Sequence, residues 1–329
     1  MRMRILIVGC GSIGMRHLNN AKALGHEVIA YRTSCDDVKA FESLHGVRVF
    51  TDYDDALDAK PDGIVISNPT DLHVECAIQA ARRGGALLIE KPFSNTLEGI
   101  DILTEIVERH SQLVLVAYNL RFHEQIVTMK EWISAGLIGR VYFAQVKAGG
   151  FLPDWRTGTD YSKSYSASSS RGGGVVLDLS HDIDYILWFL GDVEAVASSI
   201  FRLSDLEIDT EDYAELSLRF TSGAVAQIHL DYLNRYPNRQ CELVGSEGTI
   251  YWDYNNSELR LSNAVSGEER CVVLESYERN DTYISLMEHF TDCIARRAEP
   301  LITIDDGVRV LKVALAAKAA SSDRLVPLQ

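Results

Sequence analysis

Ile5-Leu6-Ile7-Val8-Gly9-Cys10-Gly11-Ser12-Ile13-Gly14 decides the fold. Its first four residues are a continuous apolar run, as a strand covered on both faces requires. The six that follow spell G-x-G-x-x-G, and Gly11 to Leu24 then reads as a helix ended by Gly25. The hexapeptide alone is common in turns. Between a buried strand and a helix that opens a βαβ unit, it is the fingerprint of a dinucleotide site. Gly9 permits the tight turn, Gly11 the approach of a pyrophosphate and Gly14 the packing of helix on strand, with Ser12 and Ile13 at the phosphate-facing helix start.

Outward from this stretch the same alternation continues. Strands are expected at His26 to Tyr31, Val47 to Phe50, Gly63 to Ser67, Ala86 to Glu90 and Leu113 to Tyr118, with helices between them near Asp36 to Leu44, Tyr53 to Ala59, Asp71 to Arg83 and Thr96 to Arg109. Six strands separated by helices predict a doubly wound parallel sheet of the Rossmann type over residues 1–120. After residue 120 the order changes. A helix at Glu124 to Ala135 leads to a strand at Val141 to Lys147, then a polar stretch from Phe151 to Arg171, then a helix at Val175 to Leu190. Strand-like runs follow one another at 193–203, 212–220, 224–233, 240–245, 249–253 and 270–274, before helices at Tyr283 to Arg297 and Asp305 to Ser321. Strand after strand predicts an α+β domain at 121–329 on a large open, mostly antiparallel sheet. Its uncovered, partly apolar face would suit a symmetric partner, a homodimer or homotetramer.

The totals set limits. A chain of 329 residues, 46% hydrophobic and 24% charged, has ample core for two domains. A formal net charge of −15 disfavours nucleic acid and anionic membranes as partners. No run approaches a membrane span, and the apolar segment after Met1-Arg2-Met3-Arg4 is too short for a signal peptide. Six scattered cysteines without C-x-x-C or a histidine at ligand spacing suggest reduced thiols, no metal site and a cytoplasmic setting.

Cofactor choice is read at the end of the second strand, where a carboxylate suits the 2′-hydroxyl of NAD(H) and a cation the 2′-phosphate of NADP(H). The chain has Arg32-Thr33-Ser34 there, and NADP(H) is favoured, with NAD(H) open if Arg32 is merely solvated and Asp36 or Asp37 reaches the ribose. Glu90-Lys91-Pro92 stands at the end of the fifth strand, on the edge where ligands of such sheets bind, and Lys91 there either polarises a substrate oxygen or is simply solvated. Between Phe151 and Arg171, Trp155, Arg156 and Tyr165 offer an aromatic and cationic surface for a sugar-like, anionic ligand, or a solvated loop. Tyr232 to Arg239, with Arg235 and Tyr236, is a second such stretch.

The fingerprint, the E-K-P, and Gly172-Gly173-Gly174 followed by Asp178 and His181-x-x-Asp184 together resemble the glucose–fructose oxidoreductase, inositol dehydrogenase and rhizopine-catabolism (Gfo/Idh/MocA) family across essentially the whole chain. The resemblance implies an NAD(P)-dependent dehydrogenase or reductase of sugars, polyols or nucleotide-linked sugars. It makes Lys91, Asp178 and His181 catalytic and substrate-binding; Trp155, Arg156, Tyr165 and Tyr236 are expected toward the substrate from their own aromatic and cationic chemistry. Toward the cofactor it brings Ser67, Asn68, Pro69, Thr70, His73, Glu90, Lys91, Pro92, Asn119 and Arg121. Where the family commonly spaces its aspartate and histidine four apart, Asp178-Leu179-Ser180-His181 gives three, and on the expected helix both spacings keep the pair on one face. Two other readings stand beside it: an enzyme using tightly held NAD(P) as an internal redox shuttle, and a non-catalytic sugar sensor. Substrate, reacting carbon and direction are not written in the sequence.

Overall fold

The computed structural model describes residues 1–33, 37–156 and 158–320. Ser34 and Asp36, named above for cofactor choice, lie outside the described residues. By its contacts the chain forms two units, 1–119 with 278–308, and 120–277 with 309–329.

In the first unit β1 (Arg4–Val8), α1 (Ser12–Ala23), β2 (Glu27–Tyr31), α2 (Val38–His45), β3 (Arg48–Phe50), α3 (Tyr53–Asp58), β4 (Gly63–Ile66), α4 (His73–Arg83), β5 (Ala86–Ile89), α5 (Ile100–His110) and β6 (Val114–Val116) alternate as expected. All strand pairs are parallel, in the order β3-β2-β1-β4-β5-β6. That order reverses direction beside β1, and in such sheets the crevice at the reversal takes the ligand. Ile5, Leu6, Ile7, Ile64, Val65, Leu87 and Leu88 are at most 1% exposed, which is why these strands read as unbroken apolar runs. The expected helix from Thr96 starts only at Ile100, because Gly99 at φ 73 interrupts the chain before it.

The second unit opens with α6 (Glu124–Ser134) and β7 (Val141–Gly149), followed by four short 3₁₀ turns between Leu152 and Arg171. Next come α7 (Val175–Asp178), α8 (His181–Leu190), β8 (Val193–Phe201), β9 (Tyr213–Phe220), β10 (Val225–Asp231), β11 (Asn238–Gly245), β12 (Gly248–Asp253), β13 (Glu258–Asn263) and β14 (Glu269–Val273), and the chain closes with α9 (Asp281–Ile294) and α10 (Ile304–Ala320). The eight strands run β14-β13-β12-β11-β7-β10-β9-β8, antiparallel except for β7 with β10. Alternation sorts its faces: Ala144, Val146, Leu216, Ile228, Leu230 and Leu243 are buried on one. The other carries Phe143, Val225 and Val244 in one row, with Gln145, Lys147, Gln227 and His229 beside them.

Three features depart from the sequence reading. β13 was missed, although Leu259 and Leu261 alternate with Glu258, Arg260 and Ser262. The helix expected from Val175 to Leu190 breaks: Ser180 N–H bonds the Leu177 carbonyl and Asp182 N–H that of Leu179, a three-residue tightening that ends α7 and restarts α8 at His181. Segment 278–308, expected within 121–329, packs with the first unit. There Phe290 and Ile294 of α9 close over Gly63, and the Ile302 carbonyl accepts from Val116 N–H at the open edge of β6. Among the described residues no helix is long and apolar enough to cross a membrane, and Cys10, Cys76, Cys241, Cys271 and Cys293 are free thiols.

Candidate active site

In the first unit the site grows from the β1–α1 turn. Gly9 sits at φ 88, and a Cβ there would come within 2.7 Å of the Asn68 backbone. A Cβ on Gly14 would stand 1.8 Å from the Gly9 carbonyl, so the helix can approach the strand only without one. At Gly11 a Cβ would meet nothing within 4 Å. The first turn of α1 has no side-chain cap and no acidic residue, so its N–H groups and dipole face open space above Gly11, Ser12 and Ile13. This turn fits the pyrophosphate of a nicotinamide dinucleotide. Ser67 stitches it in place, its one hydroxyl proton shared between the Val8 (3.1 Å) and Gly9 (2.9 Å) carbonyls.

Arg32 follows β2 with its guanidinium 4.3 Å above the Phe41 ring, and its charge lowers the Cys10 thiol that burial raises to about 11. A cation thus lies beside the glycine turn. Thr33 is exposed next to it. Asp37 is occupied as the cap of α2, accepting from Ala40 N–H at 3.0 Å, which bears against its reaching for a ribose.

The β4 and β5 ends are tied together. His73, 1% exposed, lies 2.9 Å from the Asn68 carbonyl through Nε2 and 3.0 Å from that of Pro92 through Nδ1. Burial lowers its pKa, and a neutral ring donates to only one of the two. Pro69 starts the turn holding the buried Thr70, and the Lys91-Pro92 bond is cis. Glu90, 6% exposed, accepts Lys91 N–H at 3.0 Å through Oε2 and meets His17 Nε2 at 2.7 Å through Oε1. His17 escaped the sequence reading, and its signal was present: it is three residues beyond Gly14, on the same inner face of α1. Asn119 Nδ2 donates to Thr282 Oγ1 at 2.7 Å, a tie within the fold.

In the second unit the centre is Asp178, 2% exposed at the end of α7. Tyr165 Oη donates to Oδ1 at 2.6 Å and Tyr232 Oη to Oδ2 at 2.7 Å. Burial, then the Asp178 charge, pushes both phenols well above their ordinary range, which keeps them protonated donors. Trp155 stands edge-on to Tyr232 at 5.1 Å, and the Arg156 guanidinium lies 5.2 Å over Tyr165. The polar stretch therefore joins the Asp178 cluster and is not a plain solvated loop. The glycine triplet makes this possible: a Cβ on Gly173 would come within 2.3 Å of the Tyr165 carbonyl. His181, 8% exposed, is the first residue of α8.

Two candidates are placed elsewhere. Tyr236 is 86% exposed in the turn after β10, and the tyrosine of that stretch that reaches Asp178 is Tyr232, which continues the buried register of Ile228 and Leu230. Arg121, 2% exposed, holds Asp184 with Nε at 3.0 Å and Nη2 at 2.7 Å, beneath Trp188. Its charge serves the interior of the second unit. Asp182 pairs likewise with Arg239 at 3.1 Å.

Residues 3–118 match the oxidoreductase family with an NAD-binding Rossmann fold, and residues 126–251 match the GFO/IDH/MocA C-terminal domain. Similar proteins include the myo-inositol 2-dehydrogenase of Thermotoga maritima, 26% identical with 98% of this chain and 97% of that protein covered. The 1,5-anhydro-D-fructose reductase of Ensifer adhaerens is 27% identical, covering 98% of each. A levoglucosan dehydrogenase in complex with NADH and levoglucosan has the same fold, with a TM-score of 0.87 at 20% identity over 98% of this chain and 97% of that one. The WlbA dehydrogenase from Bordetella pertussis, in complex with NADH and UDP-GlcNAcA, has a TM-score of 0.82 at 21% identity over 100% of both chains. Fingerprint, sheet order, buried aspartate and both matched segments agree: this chain is an oxidoreductase of the Gfo/Idh/MocA family.

Proposed function

We propose that the chain catalyses reversible hydride transfer at a secondary hydroxyl or ketone of a sugar, polyol or nucleotide-linked sugar. The observation that carries this is the Asp178 cradle: a buried carboxylate held on both oxygens by protonated phenols, three residues before a histidine that opens the next helix. The activities of the relatives, on inositol, an anhydro-sugar and related compounds, support the substrate class. The uncapped start of α1 and the Gly9–Gly14 turn would hold the dinucleotide, and a bound nicotinamide would supply the hydride acceptor or donor. In the oxidative direction His181 takes the hydroxyl proton as the carbinol hydrogen leaves with its electron pair. Lys91 hydrogen-bonds that oxygen, and Asp178 keeps the substrate and its neighbours oriented.

Replacing Lys91 or His181 by Ala should each lower kcat by on the order of a hundredfold while nucleotide affinity changes little. Near-parental turnover in both variants would sink this assignment. For the nucleotide our reading is a preference for NADP(H), resting on Arg32 beside the glycine turn and on Asp37 being spent as a cap. Fluorescence titration should show tighter NADPH than NADH binding, and Arg32→Ala should erase the difference. Tighter NADH binding by the parent would reverse the assignment. We also read the second unit as the substrate domain and infer a cytoplasmic homo-oligomer. The row Phe143, Val225 and Val244 on the second face of the large sheet is the surface we assign to the partner copy.

A further inference from the structure

A cavity lies wholly within the first unit, with about 430 Å³ of space open to water. It is framed by Arg2, Arg4, Lys22, His26, Glu27 and Arg48. Four full positive charges and one carboxylate therefore share one cavity, in a chain whose formal net charge is −15. Its place is the N-terminal edge of the parallel sheet, where Arg4, Glu27 and Arg48 begin β1, β2 and β3. The Gly9 turn and Arg32 lie at the opposite ends of the same strands. With five residues in β1, the separation is about 16 Å along the sheet.

The cations are differently committed. Arg4 is fixed, with Nε on Glu27 at 2.8 Å and Nη1 on the Ala59 carbonyl at 2.7 Å, and Lys22 Nζ caps the His45 carbonyl. Arg2 and Arg48 are exposed, and neither forms an ion pair with any described residue. Arg48 lies 4.4 Å over the Phe50 ring, which orders its guanidinium at the rim without neutralising it. Two anchored and two uncommitted cations around a concave space are the chemistry that takes an anion with two charged groups, each able to receive forked N–H donors. Glu27 offsets one of the four charges, and an entering anion would relieve the repulsion that remains. Burial, then the nearby N-terminal amine, lowers the His26 pKa, and the ring accepts the Met3 N–H through Nδ1 at 3.3 Å, so His26 adds no full charge to the four cations.

We infer that this cavity is a binding site for a compact polyanion bearing adjacent phosphate groups, separate from the dinucleotide turn. The probe is inorganic pyrophosphate, titrated calorimetrically at low ionic strength into protein saturated with its preferred reduced nicotinamide nucleotide, so that the Gly9–Gly14 turn is occupied. Submillimolar binding is expected, weakened tenfold or more by the double substitution Arg2→Glu, Arg48→Glu and by raised salt. Both residues are exposed, so the variant should keep the parental thermal midpoint and nucleotide affinity. Absence of binding, equal binding by the variant, or displacement of the nucleotide by pyrophosphate would each overturn the inference.

Discussion

Tyr232→Phe isolates the most specific feature of the second unit. The substitution keeps ring and volume in a site with no exposed area, so packing and apolar burial are unchanged and only the hydroxyl is lost. That hydroxyl donates 2.7 Å to Asp178 Oδ2, within the short range of bonds to a charged acceptor, and the carboxylate is 2% exposed with little water to replace it. Hydrogen bonds to charged groups contribute about 1.5–3 kcal/mol, which for a unit of this size corresponds to a fall of roughly 3–12 °C in the thermal midpoint. Asp178 Oδ2 then loses the Tyr232 bond while Oδ1 keeps that from Tyr165, which loosens the orientation of the carboxylate. If Asp178 orients the reacting groups, kcat/KM should fall on the order of tenfold, with KM raised as well as kcat lowered. Tyr185→Phe provides the control. Its hydroxyl donates 2.9 Å to Asp182, a buried carboxylate paired with Arg239, so the variant should lose stability without the kinetic change. Scanning calorimetry and initial-rate kinetics on the parent and both variants separate the two roles. Parental kcat/KM in Tyr232→Phe, or an equal kinetic loss in Tyr185→Phe, would refute an orienting role for the Asp178 cradle.

Two further outcomes follow from the geometry. Gly11→Ala adds a methyl to open space at a backbone angle any residue adopts, so it should leave the thermal midpoint near parental while weakening nucleotide binding at least tenfold; Gly14→Ala, driven into the Gly9 carbonyl, should fail as a folded protein, and a stable Gly14→Ala that binds nucleotide would contradict the packing described. His123 is enclosed by Trp252, Tyr254 and Tyr277, and burial, with the Arg239 charge, lowers its pKa to about 4. Unfolded, the ring takes a proton near pH 6.5, so between these values the unfolded chain binds more protons; the contribution of His123 is complete above pH 6.5 and is lost as pH falls toward 4, by about 3 kcal/mol at most. Urea unfolding from pH 7 to 4 should show that slope and its flattening in His123→Phe, and an identical slope in the variant would exclude His123 as its source.

The sequence by itself determined the elements whose causes are local. Strands β1, β4 and β5 are apolar because both faces are covered, and the glycines that follow β1 answer to contacts with the turn they build, so sheet type and nucleotide turn were readable in residues 5–14. The place of Lys91 at a strand end was likewise readable, whereas Asp178 was named by the family resemblance and not by its own surroundings. What only the tertiary structure decided depends on partners distant in sequence. Glu90 and His17 are 73 residues apart, and Asp178 and Tyr232 are 54. No spacing in the chain declares that Tyr232 rather than Tyr236 turns inward, since that follows from the register of β10 against β7 and β9. The break at Leu179-Ser180 is equally silent, as Val175 to Leu190 is apolar enough to read as one helix. Arg121 looked like a site cation until its buried partner Asp184 appeared 63 residues away. Segment 278–308 followed a run of strands in sequence yet folded back onto the first sheet, because an open β6 edge and the surface over Gly63 need covering wherever the covering chain comes from. Local sequence sets the period and the turns, and the burial of polar side chains against one another is settled only when the whole chain has folded.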